Sequence, residues 1–257
     1  MTYTIHNTDC LDWMRQQPHA CVDIIVSSPP YNIGLNYNTY SDSRVDYYEW
    51  MRCVWSEACR ILKPNGHLFI NVAPTRKDPL MPYKVASSVP WVIQNTITWS
   101  KAIEYEGHVS GHVQVFASEY YLPNGMELVF HFTEHGKTKC DTRALDVSYK
   151  PQWAEYNKKK TGRTHRPTVN NWFVPYETVG SFGKRTTELK GNKKHPAIYP
   201  QALVERCIRL AGYNADTIVF DPFAGTGTTL LAAKRLGLHA IGCELDADYY
   251  QFILSRL

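Results

Sequence analysis

Between Val22 and Tyr31 the chain reads VDIIVSSPPY, and no other stretch restricts the fold as much. Val22, Ile24, Ile25 and Val26 make a short β-branched run of the kind that fills a strand buried on both faces, the habit of parallel sheets in α/β proteins. Pro29 and Pro30 end it. Each has a fixed φ and no N–H, and the first also holds Ser28 extended, so neither a helix nor a paired strand continues through them. The turn is expected to leave its carbonyls free. It sets Tyr31, an aromatic face with a hydroxyl, at the carboxyl end of a strand, where open α/β sheets bind ligands. A proline turn alone is ordinary, but Ser-Pro-Pro-Tyr after a buried strand is rarer.

The flanking pattern supplies the rest of such a sheet. Thr2 to His6 alternates as a strand, and Asp9, a cap by residue type, precedes a short helix at Leu11 to Gln16. Asn32 to Ser43 has no apolar periodicity and reads as a loop beside the site, a candidate lid. Tyr47, Trp50, Met51, Val54, Ala58, Ile61 and Leu62 recur at helical spacing up to Pro64-Asn65-Gly66, and His67 to Val72 is the next buried strand. Strand, helix, strand, helix, strand implies parallel pairing with right-handed crossovers. Val92 to Trp99 and Met126 to Phe132 are expected as an antiparallel edge, because Pro123-Asn124-Gly125 precedes the second. After Pro200, a helix (202–211), a strand (217–220), a helix to Leu236, a strand (239–243) and a closing helix (247–257) complete the alternation.

A chain of 257 residues can bury the core of one α/β domain with an insertion. No basic-then-apolar leader and no run of eighteen apolar residues occurs, so the cytoplasm is the expected location and no membrane is involved. Seven cysteines are scattered without a Cys-x-x-Cys pair, which argues for reduced thiols and against a disulfide framework or a metal site. The net charge of +4 hides an asymmetry. Between Phe132 and His195 there are fourteen Lys and Arg against six Asp and Glu, so this segment carries +8 and the remainder −4. A concentration of positive charge on that scale points to a polyanion partner. Lys158, Lys159, Lys160, Arg163, Arg166, Lys184 and Arg185 are its candidate contacts, interspersed with aromatic residues.

A second site begins at Asp221. A strand, the turn DPFAGTGTT (221–229), a helix, and a strand ending in Glu244 nearly twenty positions on describe a nucleotide-binding half of a doubly wound sheet. Glu244 is placed to hydrogen-bond a ribose diol. No glycine stands three residues after Gly227 and no Gly-Lys-Ser/Thr follows a glycine at P-loop spacing, so neither pyrophosphate cradling nor a P-loop is expected. Asp221 suits a cationic ligand better than a phosphate. Its carboxylate can accept from an ammonium group, and Phe223 can lie near a sulfonium.

Together these motifs resemble the DNA amino-methyltransferases, which methylate an exocyclic amine of a base from S-adenosylmethionine. SPPY (28–31) resembles their catalytic motif, DPFAGTGTT their cofactor motif, GCELDADYY the ribose-binding motif, and HPAIYP (195–200) the segment before the cofactor strand. LKPNG (62–66) and NTDCL around Asp9 fit as well, and the order, catalytic motif first, is that of the beta class. The resemblance implies an α/β fold with a Rossmann-like class I methyltransferase sheet, circularly permuted and carrying an inserted target-recognition region. The expected divisions are 1–132 for the catalytic half, 133–194 for recognition and 195–257 for the cofactor half.

The resemblance assigns Ser28, Pro29, Pro30 and Tyr31 to catalysis. To S-adenosylmethionine it assigns Asp9, Cys10, Asp221, Pro222, Phe223, Ala224, Gly225, Thr226, Gly227, Thr228, Glu244 and Leu245, with Asp9 at the adenine. Double-stranded DNA is the implied partner, with room for a cognate restriction endonuclease, and the chain is expected as a monomer or homodimer. Ser28 and the Pro29 carbonyl would accept the two N–H bonds of the amine, and Tyr31 would stack on the flipped base. A serine at the first motif position resembles the N4-cytosine enzymes, its hydroxyl able to accept from the amine and donate to ring N3. The N6 of adenine is the alternative. Carbon-5 methylation lacks support, because none of the fifteen prolines is followed by cysteine. An inactive nucleic-acid-binding module would be expected to lose Ser28, Tyr31 or Asp221, and an oxidoreductase would bind a dinucleotide.

Overall fold

The computed structural model describes residues 1–32, 34, 43–111, 118–175 and 199–257. The opening strand β1 (Tyr3–Asn7) leads to α1 (Cys10–Arg15), and β2 (Val22–Ser27) to α2 (Tyr47–Ile61), β3 (Leu62–Val72) and α3 (Met81–Ser87). Strands β4 (Val92–Ser100), β5 (Ala102–Tyr105), β6 (His108–Gly111) and β7 (Met126–Thr133) follow. The basic segment holds β8 (Val147–Ser148), α4 (Pro151–Thr161), β9 (His165–Arg166) and β10 (Asn171–Phe173). The chain closes with α5 (Gln201–Ala211), β11 (Ile218–Asp221), α6 (Thr228–Arg235), β12 (His239–Glu244) and α7 (Ala247–Leu254).

Eight of these strands form one sheet in the order β1-β12-β11-β2-β3-β7-β4-β10. All neighbours are parallel except β7, which runs antiparallel between β3 and β4. The antiparallel pair β4–β7 is present as expected, but it is not the edge. Asn171–Phe173, a segment of the basic region without periodicity, pairs with Thr98–Ser100 outside β4. Trp172 is thereby buried, donating its indole N–H to the Val169 carbonyl at 2.9 Å, while Trp99 donates to the Val174 carbonyl at 2.8 Å.

Apolar side chains on both faces of β2 force a helical layer on each side. Leu11, Met14, Met51, Val54, Trp55, Met81 and Val85 cover one face, and Leu203, Val204, Cys207, Ile208, Leu230 and Ala233 cover the other. The Pro64-Asn65-Gly66 segment is a bulge inside β3 and not a turn before it: Val22 pairs with Leu62, but Ile24 already pairs with His67. Gly66 is required there, since a Cβ would stand 2.8 Å from the Lys63 carbonyl oxygen and 3.1 Å from that of Asp23. None of the described helices is long and apolar enough to cross a membrane.

The strand bearing Asp221 comes late in the chain yet lies near the middle of the sheet, beside β2. The chain end returns to the opening strand, for Lys234 reaches the Leu257 carbonyl while lying 5.7 Å from the centre of the Tyr3 ring. This order is consistent with a circularly permuted sheet. Trp172→Ala should lower unfolding free energy by about 3–5 kcal/mol in denaturant titration, as for a buried large-to-small change in the core. A change below about 1 kcal/mol would mean that β10 is not part of the packed sheet.

Candidate active site

The sheet changes winding direction between β11 and β2, and the turns that leave these two strands carry the predicted motifs. A single carboxylate joins them. Asp221 Oδ1 accepts from Ser27 Oγ at 2.6 Å and from the Phe223 amide at 3.0 Å, while Oδ2 accepts from Thr229 Oγ1 at 2.6 Å and the Tyr199 hydroxyl at 3.0 Å. Asp221 is fully buried, and burial pushes its pKa up against the four hydrogen bonds that favour the charged form. Both oxygens are thus engaged by the protein's own donors, so Asp221 acts as a brace between the turns. Ser27, Thr229 and Tyr199 are the partners that motif reading passed over, although Thr229 and Tyr199 lie within the quoted segments.

The Ser28–Tyr31 turn is held from two sides, by α2 and by β7. The Tyr47 hydroxyl donates to the Pro30 carbonyl at 2.6 Å, so that carbonyl is not free as expected from the proline pair. This leaves the Pro29 carbonyl as the candidate acceptor. Ser28 Oγ and the Tyr31 hydroxyl lie 3.3 Å apart, and Tyr31 donates to Glu127 Oε2 at 3.2 Å. Lys101 Nζ meets the other Glu127 oxygen at 3.0 Å, in a pair whose side chains are 16% and 12% exposed. Burial, and then the Glu127 charge, push the Tyr31 pKa well above its ordinary value, so the hydroxyl keeps its proton. Glu127 and Lys101 had no motif to mark them.

At the other turn, Gly227 takes φ 83° at the start of α6, and a Cβ there would meet Ile253 at 3.0 Å. Pro222, Ala224, Thr226 and Thr228 are buried in this turn, with Gly225 partly accessible. Glu244 Oε2 accepts from the Gly225 amide at 2.7 Å and Oε1 from the Asp246 amide at 2.8 Å. A carboxylate has about four acceptor sites, so two remain after these bonds. Burial is the main cause that pushes the Glu244 pKa up to about 7. Phe223 stands edge-on to Trp50 and Trp55, with centroids 5.7 and 6.1 Å away, and forms a fixed aromatic wall. Asp9 caps α1, accepting from Leu11 and Asp12 amides at 2.8 and 3.3 Å. Cys10 is buried and Leu245 is exposed.

The basic residues are separate from both turns in the chain. Lys158, Lys159 and Lys160 form the last turn of α4, a helix with no buried residue, and Arg163 and Arg166 that follow are exposed. Lys184 and Arg185 lie outside the described residues, as does most of the candidate lid. On the amino-terminal half of β3, His67 Nδ1 and His131 Nε2 are 2.9 Å apart, with Cys140 Sγ nearby. Burial holds these imidazoles down, at about 4 and about 3, so they are a neutral hydrogen-bonded pair at neutral pH, with Asn95 2.9 Å from His131 Nδ1. Asp221→Ala would strand four donors, and we expect it to reduce unfolding free energy by about 3 kcal/mol or more in denaturant titration. A near-neutral result would contradict the bracing role.

Residues 22–255 match the DNA methylase family of N6 and N4 methyltransferases. The chain is 27% identical over 263 residues to the type II methyltransferase M.ScaI of Streptomyces caespitosus, covering 98% of this chain and 80% of that protein. It is 28% identical over 265 residues to the DNA adenine methyltransferase YhdJ of Escherichia coli K12, covering 99% and 82%. Among solved structures, the PvuII DNA methyltransferase, cytosine-N4-specific, aligns with TM-score 0.74 and 19% identity over 100% of this chain and 86% of that one. The complex of M1.HpyAVI with S-adenosylmethionine aligns with TM-score 0.62 and 21% identity over 100% of both. At such identities the structural matches speak to the fold alone. With the family match spanning nearly the whole chain, the protein belongs to the N6/N4 DNA methylases, the S-adenosylmethionine-dependent amino-methyltransferases of DNA.

Proposed function

We propose that this protein methylates the exocyclic N4 amine of cytosine in double-stranded DNA, acting on a base turned out of the helix. The observation that carries this reading is Ser28, which follows Ser27 at the end of β2 and is tied through it to the cofactor turn at Asp221. Serine at this place resembles the N4-cytosine enzymes, and the cytosine-N4-specific PvuII enzyme shares the fold. The N6 amine of adenine is the second reading, favoured by the likeness to the adenine methyltransferase YhdJ. M.ScaI carries the name of a type II methyltransferase, and a cognate restriction endonuclease belongs to the proposal on that ground.

The residues present fit S-adenosylmethionine. Glu244, held by two backbone amides, keeps two acceptor sites for the two hydroxyls of a ribose. Asp9 and Cys10 would lie toward the adenine, and residues 222–228 with Leu245 would line the remainder. The cofactor supplies an electrophilic methyl group on a sulfonium. An exocyclic amine is a poor nucleophile because its lone pair is delocalised into the ring. Ser28 Oγ and the Pro29 carbonyl would accept its two N–H bonds, which favours a pyramidal nitrogen with its lone pair directed outward. Much of the acceleration would then come from positioning. Turning the base out costs roughly a few kcal/mol, and stacking on Tyr31 returns about 1–3 kcal/mol. Lys158, Lys159, Lys160, Arg163 and Arg166, with Lys184 and Arg185, would bind the phosphate backbone.

Three outcomes test this. DNA incubated with the enzyme and labelled cofactor, digested and analysed by mass, should contain N4-methylcytosine. N6-methyladenine would replace the cytosine reading, and bound but unmethylated DNA would favour an inactive binding module. Replacing Lys158, Lys159 and Lys160 by Gln should flatten the salt dependence of DNA affinity, and an unchanged slope would place the contacts elsewhere. Because Glu244 must be ionised to accept from a diol, cofactor affinity should hold above pH 7 and fall by about ten-fold per unit below it, as calorimetry would show. The native state binds this proton between the ordinary carboxylate range and pH 7, so the same group's contribution to stability falls as pH rises through that window. A pH-independent affinity would remove Glu244 from the ribose.

A further inference from the structure

Ser28, Tyr31, Glu127 and Lys101 form a chain of contacts that runs from the catalytic turn into the antiparallel part of the sheet. Glu127 is the second residue of β7, and Lys101 follows the last residue of β4. Because β7 runs against its neighbours, its start lies at the carboxyl end of β3, level with the catalytic turn. The distances are 3.3 Å from Ser28 Oγ to Tyr31, 3.2 Å from Tyr31 to Glu127 and 3.0 Å from Glu127 to Lys101. The direction of each hydrogen follows from the inventory of donors. Lys101 can only donate, and a carboxylate can only accept. The single hydroxyl hydrogen of Tyr31 must therefore lie toward Glu127, since otherwise two oxygen lone pairs would face each other at that distance. The phenolic oxygen is then left with acceptor sites alone, one of them facing Ser28 and another the Ala73 amide. Ser28 has one hydrogen, and its partner there is Tyr31.

We propose that the Lys101–Glu127 ion pair is a positioning device that sets the polarity of this chain, so that Ser28 Oγ presents only acceptor lone pairs to the target amine. A serine hydroxyl is ordinarily ambivalent, and facing an N–H it can turn either its hydrogen or its lone pairs toward the substrate. Here the hydrogen is committed, and Ser28 behaves toward the amine as a carboxylate would, without carrying charge. The same commitment withdraws that hydrogen from ring N3. Glu127 and Lys101 act through Tyr31 and touch neither substrate nor cofactor in this scheme.

The inference rests on Ser28 contacting the amine, and a double-mutant cycle tests it separately from that reading. Single-turnover methyl transfer, cofactor affinity by calorimetry and thermal midpoint would be measured for Glu127→Gln, Tyr31→Phe and the double variant. A glutamine offers both a donor and an acceptor to Tyr31, so the direction is no longer imposed. Glu127→Gln should slow transfer roughly ten-fold at unchanged cofactor affinity, and in the Tyr31→Phe background the same change should alter the rate by less than about two-fold. An equal loss in both backgrounds, or no loss in the parent, overturns the proposal. Lys101→Met provides the same cycle if Glu127→Gln does not fold, with the same expectation. Ser28→Ala is run in parallel: full turnover there removes the catalytic reading itself, whereas lost turnover there with no effect at Glu127 removes only the polarity.

Discussion

Four hydrogen bonds into the carboxylate of Asp221 hold the turns after β2 and β11 in one register. An ionised carboxyl group in the interior is strongly disfavoured unless its acceptor sites are filled. Ser27 ends β2, Phe223 and Thr229 belong to the turn and helix after β11, and Tyr199 comes from the segment before α5. Displacing any of these elements strands a charge or a hydroxyl, so the arrangement is cooperative. The turns after β2 and β11 are 194 positions apart at the Ser27–Asp221 bond, yet they behave as one construction.

The sheet makes this possible. Neighbours β11 and β2 connect outward in opposite directions, and the crevice between their carboxyl ends is where doubly wound sheets take ligands. Antiparallel β7 adds something a wholly parallel sheet would lack. It begins where the other strands end, and so delivers Glu127 to the same end of the sheet as Ser28 and Tyr31. The neutral histidine pair on β3 and β7 lies away from these turns and packs with Phe69.

Most of the sheet was legible because its strands are continuous apolar runs between turn residues. Both turns were legible because proline and glycine restrict the backbone in ways that survive any context. What escaped the sequence has a physical reason in each case. Strand β10 has three residues, too few for a period, and its one buried side chain, Trp172, reads equally well as an exposed aromatic of a basic loop. Helix α4 buries nothing, so it has no apolar stripe to announce it. The bulge at Lys63–Gly66 looks like the end of a helix because proline, asparagine and glycine serve both. Glu127 alternates correctly within β7, but alternation gives a side chain's face and not its partner. Asp221 was marked by its place at the head of a glycine-rich turn, while its four bonding partners, and with them its bracing role, depend on tertiary contacts.

The central claim is that the turn after β2 performs the chemistry and the turn after β11 holds the donor. Tyr31→Ala separates the two. With S-adenosylmethionine affinity by calorimetry and single-turnover methylation of DNA measured on the same preparation, the account predicts unchanged cofactor binding and a loss of methyl transfer. Undiminished transfer, or cofactor affinity lost together with it, would contradict this division of labour.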